Sequence, residues 1–168
     1  MQCPLRFCAV KQFNRNAFTM IELVFVIVVL GILAAVAIPK LAATRGDAQM
    51  TKGRSDIAAI RSGISLQRSK NMLESNPTAN GFFPSNLDNI DANYGQSNQR
   101  LFNFADGNTS NILEYPIFSV NRDGGWLKTG VNAYSFTVNG VVTAFTYTNT
   151  NGIFNCTAGN ANCDVLTH

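Results

Sequence analysis

The feature that most constrains this chain is an uninterrupted apolar segment, Phe18–Ile38, in which Glu22 is the one charged residue. As a helix that rises about 1.5 Å per residue, a segment of this length extends roughly 31 Å, close to the hydrocarbon thickness of a bilayer. Its flanks are polar, because Arg15 precedes it and Pro39 and Lys40 follow it. The sequence therefore predicts one membrane-spanning helix.

The net charge of +3 belongs to the residues before this segment. Arg6, Lys11 and Arg15 lie there without an acidic residue, and without these three the count of Lys and Arg falls from 13 to 10, equal to the 10 Asp and Glu. A basic flank keeps its end of the helix in the cytoplasm, so we expect the rest of the chain in the periplasm. The neutral remainder lacks the basic surface that nucleic acid requires, and no nucleic-acid partner is predicted.

An ordinary secretory signal peptide is the competing interpretation of the apolar segment. Its apolar core would have about 7–15 residues, followed by small residues at a cleavage site. Ala34, Ala35 and Ala37 offer such a site. The length of the segment and the charge of Glu22 inside it favour a membrane helix instead.

Residues 40–73 change from uniformly apolar to amphipathic. Met50, Ile57, Ile60 and Ile64 recur at helical spacing, which predicts a helix with one face on a core. A separate polar stripe has three arginines at seven-residue intervals: Arg54, Arg61 and Arg68. We expect the helix to end before Asn76-Pro77, a typical stop signal.

The remainder predicts a small antiparallel sheet. Residues 74–132 are rich in Asn, Gly, Ser and Pro and indicate a long loop region with short elements. Over residues 133–155 the apolar period changes to two, and Asn139-Gly140 and Asn151-Gly152 supply turns between three strands. The predicted fold is α+β: a long N-terminal helix, membrane-spanning in its first half and packed on the sheet in its second.

Cys156 and Cys163 lie near the C-terminus, while the other two cysteines precede the apolar segment. Zinc usually takes four ligands at short paired spacings, and His168 is the single histidine, so no metal site is predicted. A disulfide between Cys156 and Cys163 is the favoured interpretation, and two unpaired thiols in a polar loop are the alternative. A disulfide requires an oxidising compartment, which agrees with a periplasmic domain.

Residues 16–23, with the sequence NAFTMIEL, resemble the processing site of the type IV pilin and pseudopilin superfamily. Its members have a short basic leader, a cut before a hydrophobic residue that is usually Phe, and Glu at the fifth mature position. The resemblance implies cleavage between Ala17 and Phe18, N-methylation of Phe18 and an assembly role for Glu22. The residue before the cut is usually Gly, and here it is Ala17. Pro39 lies where many members bend this helix.

The charge of Glu22 fits this role. A carboxylate at the centre of a membrane helix costs about 2.5–3.5 kcal/mol, and less toward the helix end, where Glu22 lies. Cleavage before Phe18 would free an α-amino group within the membrane layer, and a neighbouring subunit could present it to Glu22. The pairing would fix the axial register of an incoming subunit. The alternative is an interfacial Glu22 that the positive end of the helix dipole favours.

The resemblance implies a domain order: a basic leader that is removed (1–17), a transmembrane and filament-core half-helix (18–39), and a periplasmic pilin-like domain (40–168) with a C-terminal cystine loop (156–163). Such a chain is a structural subunit of a type IV pilus or of a type II secretion pseudopilus. The sequence does not distinguish between these two filaments. Its partners would be a prepilin peptidase, copies of itself or other pilin-like subunits, the inner membrane and an assembly platform protein. It would reside in the inner membrane as a single-pass protein before it enters the filament.

Residues suited to catalysis are scarce. With one histidine at residue 168, Ser-His-Asp and Cys-His arrangements are nearly excluded, and no phosphate-binding glycine loop occurs. No enzyme activity, cofactor or metal is predicted. A weak similarity to a calcium loop lacks the closing Glu: Asp88, Asp91, Asn93 and Gly95. The alternative from another class is a signal-anchored periplasmic binding module or enzyme, which would not need the Phe18–Glu22 motif.

A modification site is suggested by the sequence DGNTS at residues 106–110. It resembles the acidic sequon of some bacterial N-glycosylation systems, with Asn108 as the acceptor in a predicted loop. Asn-rich loops also produce such matches by chance, and that alternative stays open.

Overall fold

The computed structural model describes residues 18–78, 81–88, 94–103, 111–157, 159–160 and 162–167. Its elements in chain order are α1 (Met20–Leu73), β1 (Arg100–Leu101), β2 (Ile117–Phe118), β3 (Trp126–Gly130), β4 (Ala133–Val138), β5 (Val141–Thr148), β6 (Ile153–Cys156) and α2 (Cys163–Thr167). Two compact units divide the chain, one up to Leu41 and the other Ala42–His168. The predicted leader with Ala17, and the predicted glycosylation site Asn108, lie outside the described residues.

Helix α1 begins at Met20, two residues into the apolar segment. Thr19 caps it, because the backbone N–H of Glu22 donates to Oγ1 of Thr19 at 3.3 Å. Glu22 lies in the first turn, where a negative charge complements the helix dipole. Pro39 lies inside α1, and the bend expected there stays a prediction.

The C-terminus of α1 is closed by a Schellman motif. The N–H of Asn76 donates to the carbonyl of Asn71 at 3.0 Å, and the N–H of Ser75 donates to that of Met72 at 3.3 Å. Ser75 takes the left-handed conformation of this motif, with a φ of 49°. The helix therefore ends at Leu73, as its stop signal predicted.

The main sheet has four antiparallel strands in the order β3-β4-β5-β6. Across β4 and β5, Tyr134 pairs with Phe145, and alternate residues of β5 are buried, so one face of the sheet lies on the core. Asn139 and Gly140 both have positive φ, as a tight hairpin turn requires. The predicted α+β class is confirmed.

The sheet is larger than the three-stranded meander predicted over residues 133–155. Strand β3 lies inside region 74–132, which was predicted as a loop region with short elements, and the pairing of this strand with β4 was not predicted. The same region holds the short β1–β2 ladder, in which Leu101 pairs with Ile117. Strand β3 escaped the sequence pattern because Lys128 occupies one of its buried positions and breaks the apolar alternation.

The core lies between the second half of α1 and the inner face of the sheet. Ile57, Ile60 and Ile64 supply the helix side, as their spacing predicted. The sheet side is aromatic, and the rings of Phe145 and Phe154 stack with centroids 5.5 Å apart. Such ring pairs add to the stabilisation that burial of their apolar area provides.

Candidate functional site

The N-terminal part of α1 presents an unusual apolar surface. Every described residue from Phe18 to Leu41 is exposed, and the exposed fraction reaches 80% at Phe18. Helix α1 is long and apolar enough, by length and composition, to cross a membrane. Because exposure of this many apolar side chains to water is unfavourable, this surface needs lipid or protein neighbours.

Glu22 is the acidic group on this surface. It lies in a shallow notch with Ile21, Val24, Phe25 and Val28, all of them apolar. Among the residues that the structure describes, Glu22 forms no ion pair. Phe18, the predicted new N-terminus, lies two residues before the first residue of α1.

The C-terminal disulfide joins Cys156, the last residue of β6, to Cys163, the first residue of α2, with the Cα atoms 5.7 Å apart. The favoured cysteine pairing is thus present in the fold. Helix α2 was not predicted, because a segment of five residues has too few positions to show a helical period. Its Leu166 is buried in the core, and Nε of Arg54 donates to the carbonyl of Val165 at 2.6 Å. The C-terminus is therefore attached to both β6 and α1.

The arginine stripe of α1 has a structural role that its spacing did not reveal. Arg61 continues the pattern set by Arg54, because its Nε donates to the carbonyl of Phe154 in β6 at 3.1 Å. The guanidinium of Arg68 lies over the ring of Phe83, 4.5 Å from the ring centroid. The seven-residue repeat places all three side chains along one border of the buried face, where they reach three separate segments of the domain.

Several polar side chains, Asp88, Lys128 and Tyr134, are buried inside the domain. Burial lowers the pKa of Lys128 below its usual value, and the negative charge of Asp88 partly opposes that shift. Burial raises the pKa of Tyr134 well above its usual value, and the charges of Asp88 and Tyr94 add to the effect. The hydroxyl of Tyr134 has no hydrogen-bond partner within the described structure.

The residues with a weak similarity to a calcium loop are only partly described. Oδ2 of Asp88 accepts a hydrogen bond from the N–H of Phe102 at 3.3 Å, and the N–H of Gly95 donates to the carbonyl of Lys128 at 2.9 Å. Asp91 and Asn93 lie outside the described residues. In the described ranges, no three His, Cys, Asp or Glu side chains form a group that could hold a metal ion.

Comparison with known proteins supports the N-terminal motif. A family model described as the prokaryotic N-terminal methylation motif matches residues 12–38. The type II secretion system core protein G of Pseudomonas aeruginosa is 35% identical over 58 residues, which are 34% of this chain and 41% of that protein. The protein of the same name from Klebsiella michiganensis is 33% identical over 61 residues, 36% of this chain and 43% of that protein.

The chain thus spans about two fifths of the length of the curated relatives it matches. No solved structure matches it. The matched motif covers the exposed start of α1 and Glu22, and the rest of the chain has the predicted helix, antiparallel sheet and C-terminal disulfide. The start of α1 is therefore similar to that of the pseudopilins named above, and together with the α+β fold it supports the resemblance to the superfamily of type IV pilins and pseudopilins.

Proposed function

We propose that this chain is a structural subunit of a type II secretion pseudopilus, with no catalytic activity of its own. The observation that carries the proposal is the motif from Phe18 to Glu22 at the start of an exposed apolar helix. The names of the matched relatives favour the secretion machine over a type IV pilus. A signal-anchored binding module or enzyme would need the membrane helix but not this motif.

Maturation is the first step of the proposed function. A prepilin peptidase cuts between Ala17 and Phe18 while the chain spans the inner membrane with its C-terminal domain in the periplasm. The new α-amino group of Phe18 is then methylated. Alanine is the smallest substitute for the usual Gly before the cut, so a subsite shaped for Gly meets one extra methyl group at Ala17.

Polymerisation is the second step. Neighbouring subunits replace lipid around the apolar surface of α1, with an assembly platform protein as the partner at the membrane. Glu22 accepts the charged N-terminus of the adjacent subunit, because a carboxylate in a low-dielectric layer is stabilised by an opposite charge. Its lack of an ion pair within the described residues supports this role.

Mass spectrometry of the membrane-extracted protein tests maturation. We expect an N-terminal, methylated Phe18, and faster conversion in Ala17→Gly. An intact Met1, or a mature chain that begins after Ala37, would refute the proposed cleavage. A bulky side chain in Ala17→Leu should block the cut without changing the apolar helix.

Polymerisation is tested with Glu22→Gln, which removes the charge and keeps the shape. We expect normal membrane insertion and few filaments that sediment after shearing, together with less secretion into the medium. Asp164→Asn removes an exposed carboxylate from α2, outside the apolar surface, and is the matched control that should assemble normally. Normal filament numbers in Glu22→Gln would contradict the register role. If the parent forms surface filaments and secretion is unchanged in Glu22→Gln, a type IV pilus would be favoured.

A further inference from the structure

A groove of about 700 Å³ crosses the surface of the second unit. One wall is α1 from Arg45 to Asp56, and the other is the segment from Pro116 to Gly125. Ile117 and Phe118 supply apolar surface to the second wall, and Phe118 remains 49% exposed. An apolar side chain from another molecule could therefore be buried there.

The charges in this groove are not balanced. Nζ of Lys52 lies 3.3 Å from Oδ2 of Asp56, so these two groups form an ion pair. Asp123 accepts a hydrogen bond from a backbone N–H of the β4–β5 turn at 2.9 Å. Arg45 and Arg122 are exposed, and the guanidinium group of neither forms a hydrogen bond or ion pair with any residue that the structure describes. The groove thus offers two arginines beside an apolar wall.

The far end of α1 has the complementary chemistry. Leu66 is 71% exposed, Met72 is 51% exposed and Leu73 is 87% exposed. Glu74 follows them directly, and its carboxylate reaches Lys70 only at 3.9 Å on the surface, where an ion pair contributes little. We call Leu66, Met72, Leu73 and Glu74 the apolar tip.

We propose that the apolar tip of one copy of this chain docks in the groove of the next copy. Leu73 would be buried against Phe118, and Glu74 would meet the arginines of the groove. The inference rests on the proposed polymerisation and adds to it a specific contact between the periplasmic domains.

The positions of the two surfaces explain why this contact would extend a filament. Arg45 and Leu73 are separated by 28 residues of one helix, a distance of about 42 Å. Because tip and groove are different surfaces at opposite ends of this stretch, the contact is head-to-tail. A head-to-tail contact that does not close into a ring generates an open helical assembly.

Engineered cysteines test the contact in membranes that contain the full-length chain. After mild oxidation, a chain with both Leu73→Cys and Phe118→Cys should give a ladder of linked oligomers, and each single variant should give no ladder. Val142 is 57% exposed on β5 and outside the groove, so Leu73→Cys with Val142→Cys is the matched control. An equally strong ladder in the control, or no ladder while sedimentable filaments form, would overturn the proposal.

Charge reversal gives a second test that does not depend on cysteine geometry. Glu74→Arg and Arg122→Glu should each lower the yield of sedimentable filaments by about fivefold, and the double variant should restore it. Asp164→Arg reverses an exposed charge outside both surfaces and should have no effect. Filaments that tolerate both single reversals, or a double variant without recovery, would refute the docking and leave the proposed function standing. If the chain without substitutions is cleaved correctly and forms no filaments, the proposed function itself would be refuted.

Discussion

Replacement of Gly53 by Ala tests whether helix propensity or side-chain packing decides the stability of the protein at this position of α1. Ala is about 1 kcal/mol better than Gly inside a helix, so helix propensity alone predicts a more stable protein. The structure predicts the opposite sign. A Cβ atom on Gly53 would lie 2.5 Å from the ring of Phe136 and 2.8 Å from Cδ2 of Leu166.

Neither neighbour can move away at low cost. Phe136 is fully buried, and Leu166 is 2% exposed on a helix attached through the Cys163 disulfide. Overpacking of a core typically costs about 1–3 kcal/mol, which exceeds the gain in helix propensity. We therefore expect Gly53→Ala to lower the free energy of unfolding by about 1 kcal/mol, which for a domain of this size is a loss of about 3–5 °C in Tm.

Thermal unfolding of the full chain in detergent, followed by near-ultraviolet circular dichroism, measures the effect through the aromatic core. Gly46→Ala is the matched control in the same helix, because the three atoms nearest to its Cβ would belong to the side-chain amide of the exposed Asn139, which can move away. We expect the control to be unchanged or slightly more stable. A Gly53→Ala variant at least as stable as the parent would refute the inference that close packing of α2 requires this glycine.

Three further predictions concern the domain. Ser75→Gly should raise stability by about 0.5–1 kcal/mol in chemical unfolding, since Ser75 has a φ of 49° and Gly adopts that conformation without a penalty. Tyr134→Phe should leave stability unchanged or raise it at pH 7, because it removes a buried hydroxyl without a described partner. Above pH 10 the parent should lose stability, because the pKa of Tyr134 is raised in the folded state and the side chain ionises first in the unfolded state. Unfolding curves above pH 10 should therefore show a smaller loss of stability in the variant than in the parent. Cys156→Ser removes a disulfide between residues with a sequence separation of 7, and should lower the free energy of unfolding by about 2–3 kcal/mol. Thiol labelling of Cys156 in the unreduced parent would contradict this prediction.

The parts of the fold that were predictable have local causes. The apolar length of the first unit and the spacing of Ile57, Ile60 and Ile64 each reflect one helix and its immediate surroundings. The turn at Asn139-Gly140 was predictable because these two residue types adopt positive φ at low cost. Such signals are contained in a few consecutive residues, so no tertiary information is needed to read them.

The missed parts depend on contacts between distant residues. The bond from Arg54 to the carbonyl of Val165 joins residues 111 apart in the sequence. Asn132 is a further example, because its side chain accepts from the N–H of Leu87 at 3.1 Å and donates to the carbonyl of Ser85 at 2.9 Å. Neither arginine nor asparagine predicts a specific partner from its residue type alone. A solvent-exposed side chain was equally consistent with the sequence at Arg54 and at Asn132.

Helix α1 follows different rules in its two parts, and this difference bears on assembly. In the first unit every described residue is exposed, whereas in the second unit one face is buried against the sheet. Among the described residues, the core and the hydrophobic side chains packed on it begin at Met50. Transfer of the first unit from lipid to a filament therefore breaks none of those core contacts. The disulfide at Cys156 and the arginine contacts of α1 also lie within the second unit. Under the proposed function, the domain can enter the filament without refolding, while polymerisation replaces lipid around the apolar helix and supplies a positive charge to Glu22.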